Sequence, residues 1–333
     1  MVTTLALLLG SATVIYLACE YFVNGVEWAG KRMGVSQTAV GTVLAAFGTA
    51  LPESVVTFVA VVFGGTAAQK EIGVGAAIGG PLVLSTLAYA VVGLVFLSAK
   101  ASHQHTLLAN VNARKLRHDQ AWFIAIFVVK VMLGIVAFAI KPWLGILFLL
   151  AYAVYTWHEM QREDEPGAEH EVLEPLKFRP NDSAPTTAWA LAQTIAALIV
   201  IFLSSRLFVH QLDELGLWLG ISPQLVALLL SPVATELPEI VNAVIWVRQG
   251  KVALALGNIS GAMMIQATIP SALGLLFTPW ILSAPLLWAA AITLISISGL
   301  YWCLRRNALT PVRLASFALF YVLFAAGLVL VRR

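Results

Sequence analysis

The chain of 333 residues is 60% hydrophobic and only 11% charged, with a formal net charge of +3. A soluble domain carries about 25% charged residues, so this composition excludes a water-surrounded globule and points to a lipid bilayer. The small, scattered basic surplus excludes a nucleic-acid surface, and Cys19 and Cys303, both in apolar stretches, suggest packing residues and not a disulfide framework.

A membrane-crossing helix needs roughly 20 mainly apolar residues. Polar, glycine and proline breaks divide the chain into ten such stretches, which predicts an all-α membrane protein with ten transmembrane helices. The first, 4–24, has no basic leader and a poor cleavage site at Tyr16-Leu17-Ala18, so a spanning helix is expected and not a secretory signal. At its end Glu20, Asn24 and Glu27 form a polar stripe expected to face water or headgroups.

The second stretch, 38–62, contains GTALPES (Gly48–Ser54). Pro52 has no N–H, so the carbonyl of Gly48 loses its helical partner. Thr49 and Glu53, four residues apart, share one helix face. The third, 72–98, opens on GVGAAIGG (Gly73–Gly80); the fourth, 120–139, holds Lys130; the fifth, 142–157, is short. Residues 159–185 follow as an acidic, proline-bearing linker, expected to be a solvated cytoplasmic hinge.

Five further stretches run 187–209, 222–246, 252–276, 281–302 and 312–330. The seventh contains SPVATELPEIVNAV (Ser231–Val244), in which Pro238 strips the carbonyl of Ala234 of its partner and Thr235 and Glu239 repeat the face of the first copy. Glu236, three before Glu239, lies on nearly the same side. The eighth carries ALGNISGA (Ala255–Ala262), so Gly75 pairs with Gly257 and Gly79 with Gly261. Of the 20 Lys and Arg residues, fourteen fall in loops on one side and five on the other, which predicts both termini outside. Trp143, Trp189, Trp218 and Trp280 near stretch ends suit an aromatic belt.

The linker splits the stretches five and five, and an odd number per half inverts the second half in the membrane. The expected organisation is therefore two inverted five-helix repeats, 1–158 and 186–333, joined by 159–185, with the two motif copies meeting near the bilayer centre. Carboxylates beside bare carbonyls are hard oxygen ligands, suited to Ca²⁺, Mg²⁺, Mn²⁺ or Na⁺. An ionised side chain at the bilayer centre costs roughly 2.5–3.5 kcal/mol on insertion scales, and two inverted copies could share that cost around one divalent ion. When the ion leaves, the two carboxylates repel, so a proton or lighter cations should take its place. Asn242 and Gln266 are further candidates as ligands or as braces for a glutamate.

GTALPES and ATELPEI, each followed by a glycine-spaced helix (GNISGAMM in the second copy), resemble the two alpha repeats of the sodium/calcium exchanger family, within the calcium/cation antiporter superfamily. The resemblance implies a central Ca²⁺ site built by Glu53 and Glu239 with Thr49 and Thr235, flanking Na⁺ sites, and first and sixth helices that slide against this core. It also matches Asn258 to the asparagine of a glycine-asparagine pair. The chain departs from the pattern at Ala50 and Glu236, where serine is usual, and at Gly80, Pro81, Leu84, Ala262 and Gln266, where side-chain ligands for Na⁺ are expected.

The expected function is therefore a multi-pass antiporter exchanging Ca²⁺ for Na⁺, in a prokaryotic inner membrane, with no resident cofactor. The candidate ligands are Glu53, Glu239, Thr49, Thr235, Glu236, Asn258, Gln266 and the carbonyls of Gly48 and Ala234. The extra glutamate and missing neutral oxygens leave H⁺ coupling, or another divalent ion, as the alternative. An intramembrane enzyme is disfavoured, because the sequence has no His-Glu-x-x-His, no membrane aspartate pair and no Ser/His arrangement.

Overall fold

A computed structural model describes residues 2–33, 50–98, 113–160 and 173–331. Helix α1 spans Val2–Arg32, α2 Leu51–Phe63 and α3 Ala67–Val83. A π-helical turn, Leu84–Ala88, joins α3 to α4, Tyr89–Ser98. Next come α5, Ala113–Ile135, and α6, Gly145–Met160, which is preceded by a 3₁₀ turn at Lys141–Leu144. The later helices are α7 (Thr187–Leu219), α8 (Pro223–Thr235), α9 (Leu237–Arg248), α10 (Val252–Phe277), α11 (Ala284–Arg305), α12 (Pro311–Ser316) and α13 (Ala318–Val331).

Local chemistry sets several of these ends. The side chains of Thr66, Ser222 and Thr310 accept from the amides of Gln69, Leu225 and Arg313 at helix starts, and Pro223 and Pro311 stand where a missing N–H costs nothing. Gly220 closes α7 in the left-handed conformation, φ 61°.

Seven helical segments among the described residues are long and apolar enough to cross a membrane. The remaining candidates fall short for visible reasons. The N-terminal part of the 38–62 stretch lies outside the described residues, α6 has 16 residues, and the 222–246 stretch is broken into α8 and α9.

Helices α1 and α7, of 31 and 33 residues, pack along each other. One face of the pair (Leu8, Ile15 and Cys19 with Ile201, Phe208 and Leu212) closes over Val56 and Val59 of α2, Ile72 and Ala76 of α3 and Val226 of α8. Helices α3 and α10 sit centrally, with α2, α8 and α9 around them and α4, α5, α6 and α11 beyond. Trp143, Trp189 and Trp218 are exposed, as a belt requires, but Trp280 is fully buried, its indole N–H donating to the carbonyl of Lys130 at 3.0 Å.

Residues 173–185 differ from the expected free hinge: they form a strap docked on α1 and α7. Leu176 is fully buried and packs with Trp28, Ala29 and Ala190. The Trp28 indole donates to the carbonyl of Glu174 at 2.8 Å. Asn24 Oδ1 accepts from the Lys177 amide at 3.0 Å, and Gln193 Oε1 from the Phe178 amide at 2.7 Å. Asn24, read from the sequence as water-facing, is thus a buried dock, linked directly to Gln193 Nε2 at 3.0 Å. The reason is local: two carboxamides on neighbouring helices satisfy backbone that would otherwise be buried unpaired.

Candidate functional site

Both motif copies open a helix, at Leu51 and at Leu237. A bend at Ala50 precedes α2, whose first turn holds Pro52 and Glu53. In the second copy α8 stops at Thr235, Glu236 forms the turn, and α9 resumes at Leu237. The break is one residue wide, since the Glu236 amide still donates to Pro232 O at 2.9 Å. Pro238 has no N–H to give the carbonyl of Ala234, so the ladder cannot run through.

The side chains at these breaks converge. Glu53, Thr235, Glu236, Glu239 and Gln266 are all essentially excluded from solvent. The Thr235 hydroxyl lies 2.6 Å from Glu53 Oε2, 3.0 Å from Glu236 Oε1 and 3.2 Å from Ser231 O. One hydroxyl proton can satisfy only one of these acceptors. Gln266 Nε2 donates to both oxygens of Glu236 at 2.8 Å. Glu53 Oε1 and both oxygens of Glu239 have no hydrogen-bond partner among the described residues. Acceptor oxygens outnumber donors in a region without water-facing surface, and unpaired buried acceptors are costly. Cations would relieve that excess.

Helix α3 approaches this region by having no side chains in the way. A Cβ on Gly75 would sit 2.3 Å from Gln224 O, and one on Gly79 would sit 2.7 Å from Leu228 O. Pro232 leaves that Leu228 carbonyl without its helical donor. A Cβ on Gly80 would sit 2.7 Å from Gln266 Oε1 and 2.9 Å from Glu236 Oε1, so glycine here makes room for the carboxamide–carboxylate pair.

Of the residues expected from sequence, the structure brings together Glu53, Thr235, Glu236 and Gln266, and Glu239, three residues after Glu236, is buried without a hydrogen bond to them. Ala234 is the penultimate residue of α8. Gly48 and Thr49 lie outside the described residues. Asn258 is half-buried on α10, eight residues before Gln266 and so about 12 Å away along the axis. Among the described residues no three His, Cys, Asp or Glu side chains already close on one point as a metal cluster. Sequence reasoning missed Thr57 and Ser231, whose hydroxyls are buried without partners among the described residues; their spacing, four after Glu53 and four before Thr235, was the available signal. It also gave no role to Lys130, whose Nζ donates to Ala77 O at 2.9 Å.

A family model described as sodium/calcium exchanger protein matches residues 3–160 and 189–330. Inner membrane protein YrbG of Escherichia coli strain K12 is 25% identical over 315 residues, covering 92% of this chain and 90% of that protein. The crystal structure of the H⁺/Ca²⁺ exchanger CAX is similar with a TM-score of 0.66 at 19% identity, covering 99% of this chain and 88% of that one. A structure of the sodium-calcium exchanger NCX_Mj gives 0.60 at 19% identity, covering 98% and 99%. These structural likenesses show a shared fold.

Proposed function

Because the chain belongs to the sodium/calcium exchanger protein family, a family of membrane cation transporters, we propose that it exchanges Ca²⁺ for Na⁺ by alternating access, with Glu53 and Glu239 as the principal ligands. The observation that carries this reading is the oxygen surplus: three buried carboxylate oxygens, Glu53 Oε1 and both of Glu239, lack any donor among the described residues. A divalent cation between them would satisfy all three. Thr235 and the Ala234 carbonyl would complete its shell, with Thr49 and the Gly48 carbonyl from the first copy, while Glu236 and Gln266 would hold the counter-ion region. Asn258 would act nearer the mouth of the pathway than at its centre.

The proposed layout is ten membrane helices as two inverted five-helix repeats with both termini outside. It is supported by the one-residue break at Glu236 and by the charge bias of the loops. The peripheral α1–α7 pair, which closes over α2, α3 and α8, is the mobile element in this scheme.

H⁺ coupling is the second reading. Gly80 offers no side-chain oxygen, and Glu236 adds a third carboxylate that a proton could neutralise. The experiment is ⁴⁵Ca²⁺ uptake in proteoliposomes under an imposed Na⁺ gradient or an imposed pH gradient. Flux driven by Na⁺ alone supports the first reading, and flux driven by pH alone replaces it with the second. Removing one member of a buried charge arrangement costs about 3–5 kcal/mol, so Glu53→Gln and Glu239→Gln should each lower flux by at least about 100-fold. Full activity in both variants would refute the site.

A further inference from the structure

Lys130 is the one lysine within an expected membrane stretch. It is fully buried, with its Nζ 2.9 Å from Ala77 O and 4.7 Å from the centre of the Phe127 ring. The acceptor is a particular carbonyl. Pro81, four residues after Ala77, has no N–H, so Ala77 O has no helical donor. In a channel-lining helix such a bare oxygen is a ligand for a monovalent cation. Here the ammonium already holds it.

No carboxylate lies within ion-pair distance of Lys130 among the described residues, so the charge is not neutralised by contact. The lysine is fixed in place: Trp280 donates to its carbonyl at 3.0 Å, and Trp280 O in turn accepts from Lys141 Nζ at 3.0 Å. A buried lysine costs several kcal/mol to desolvate, and neutral methionine or leucine would fill the space without that cost.

We propose that Lys130 is a resident cation of the transport core, occupying the carbonyl freed by Pro81 in place of one mobile monovalent ion, so that its charge is counted in every step of the cycle. This rests on the exchanger reading. The arithmetic then closes: Glu53, Glu236 and Glu239 contribute −3 and Lys130 +1, leaving −2, the countercharge of one divalent ion. Buried charge must be neutralised on both legs of the cycle, so the return leg carries about two monovalent charges per Ca²⁺ and no net charge crosses.

The test is ⁴⁵Ca²⁺ exchange in proteoliposomes with the membrane potential set by K⁺ and valinomycin. Wild-type flux should be insensitive to potential, with a counter-ion stoichiometry of about two per Ca²⁺. Lys130→Gln keeps a donor for Ala77 O but removes the charge; it should raise the stoichiometry to about three and make flux potential-dependent. Wild-type exchange that moves net charge overturns the proposal even where Lys130→Gln yields no folded protein. So does a Lys130→Gln protein with unchanged stoichiometry, which would reduce the lysine to a cap on Ala77 O. Absence of any Ca²⁺ exchange by the wild type would instead refute the exchanger reading beneath it.

Discussion

Helices α3 and α10 each follow one copy of the Leu-Pro-Glu motif, and their sequences align at two glycines, Gly75 with Gly257 and Gly79 with Gly261, yet they are built for different tasks. On α3, glycines bring backbone against backbone, with Gly75 against Gln224 O and Gly79 against Leu228 O of α8. On α10, a Cβ at Gly257, the counterpart of Gly75, would meet nothing within 4 Å. The helices also differ in what they offer the site. α10 supplies Gln266, which grips both oxygens of Glu236; α3 supplies the space at Gly80 in which that grip occurs. A repeated motif therefore preserves position without preserving role, because only one copy of each contact needs to be close and only one copy of each polar group needs to be present.

The sharpest way to break this comparison is to fill α3. A methyl group at Gly75 would overlap a backbone carbonyl at 2.3 Å, and Ala227 Cβ at 3.0 Å closes the nearest escape. Backbone cannot rotate away as a side chain does, so Gly75→Ala should cost about 3 kcal/mol, at the upper end of overpacking effects, and Gly75→Val should give no folded protein. Gly79→Ala, with its Cβ 2.7 Å from Leu228 O and 2.8 Å from Pro232 Cγ, should follow closely. Thermal unfolding in detergent, followed by size-exclusion fluorescence, measures both. A Gly75→Ala protein as stable as wild type would mean that α3 and α8 are not in backbone contact.

The next effect concerns α10. Hydrogen bonds to a charged group contribute about 1.5–3 kcal/mol, and Gln266→Leu removes both of those made to Glu236. Ca²⁺ binding measured by titration calorimetry should weaken by about 10- to 100-fold, while unfolding shifts less than for Gly75→Ala. Gly80→Ala is milder. Its Cβ meets the far end of the Gln266 side chain, which can rotate, so a cost of about 1 kcal/mol is expected, and the loss of affinity should be several-fold. Were Gly80→Ala to outweigh Gln266→Leu, the grip on Glu236 would not be what positions that carboxylate.

Much of the site was legible before the fold was known, for a physical reason: proline and glutamate are both costly in an apolar helix, so their pairing at Pro52–Glu53 and Pro238–Glu239 stands out against the background. The glycine spacing of α3 was equally visible, though not which carbonyls it would meet. The α1–α7 pairing was not legible, because lipid is as apolar as leucine and the sequence shows no contrast between the lipid-facing and protein-facing sides. The strap was misread because its charged residues and prolines outweigh the two leucines, Leu173 and Leu176, that dock it. Its anchors, Asn24 and Gln193, come from two helices far apart in the sequence. Lys130 was visible as a lysine in an apolar stretch, but its partner is a carbonyl, and a carbonyl has no signature in sequence.

The smallest expected effect is the most direct control on the asymmetry. Gly257 lies inside α10, where a Cβ would enter open space. Glycine in a helix interior is less favourable than alanine by about 0.8–1.0 kcal/mol in water, and no close neighbour opposes the change here. Gly257→Ala should therefore leave unfolding within about 0.5 kcal/mol of wild type or raise it slightly, and should leave Ca²⁺ flux intact, whereas the aligned substitution Gly75→Ala is disruptive. The pair is informative because the two positions have the same residue, the same motif register and the same helical backbone, and differ only in what stands opposite. A destabilised Gly257→Ala would show that α10 meets a surface which α3 alone was thought to meet. The two copies would then be equivalent in packing as well as in sequence.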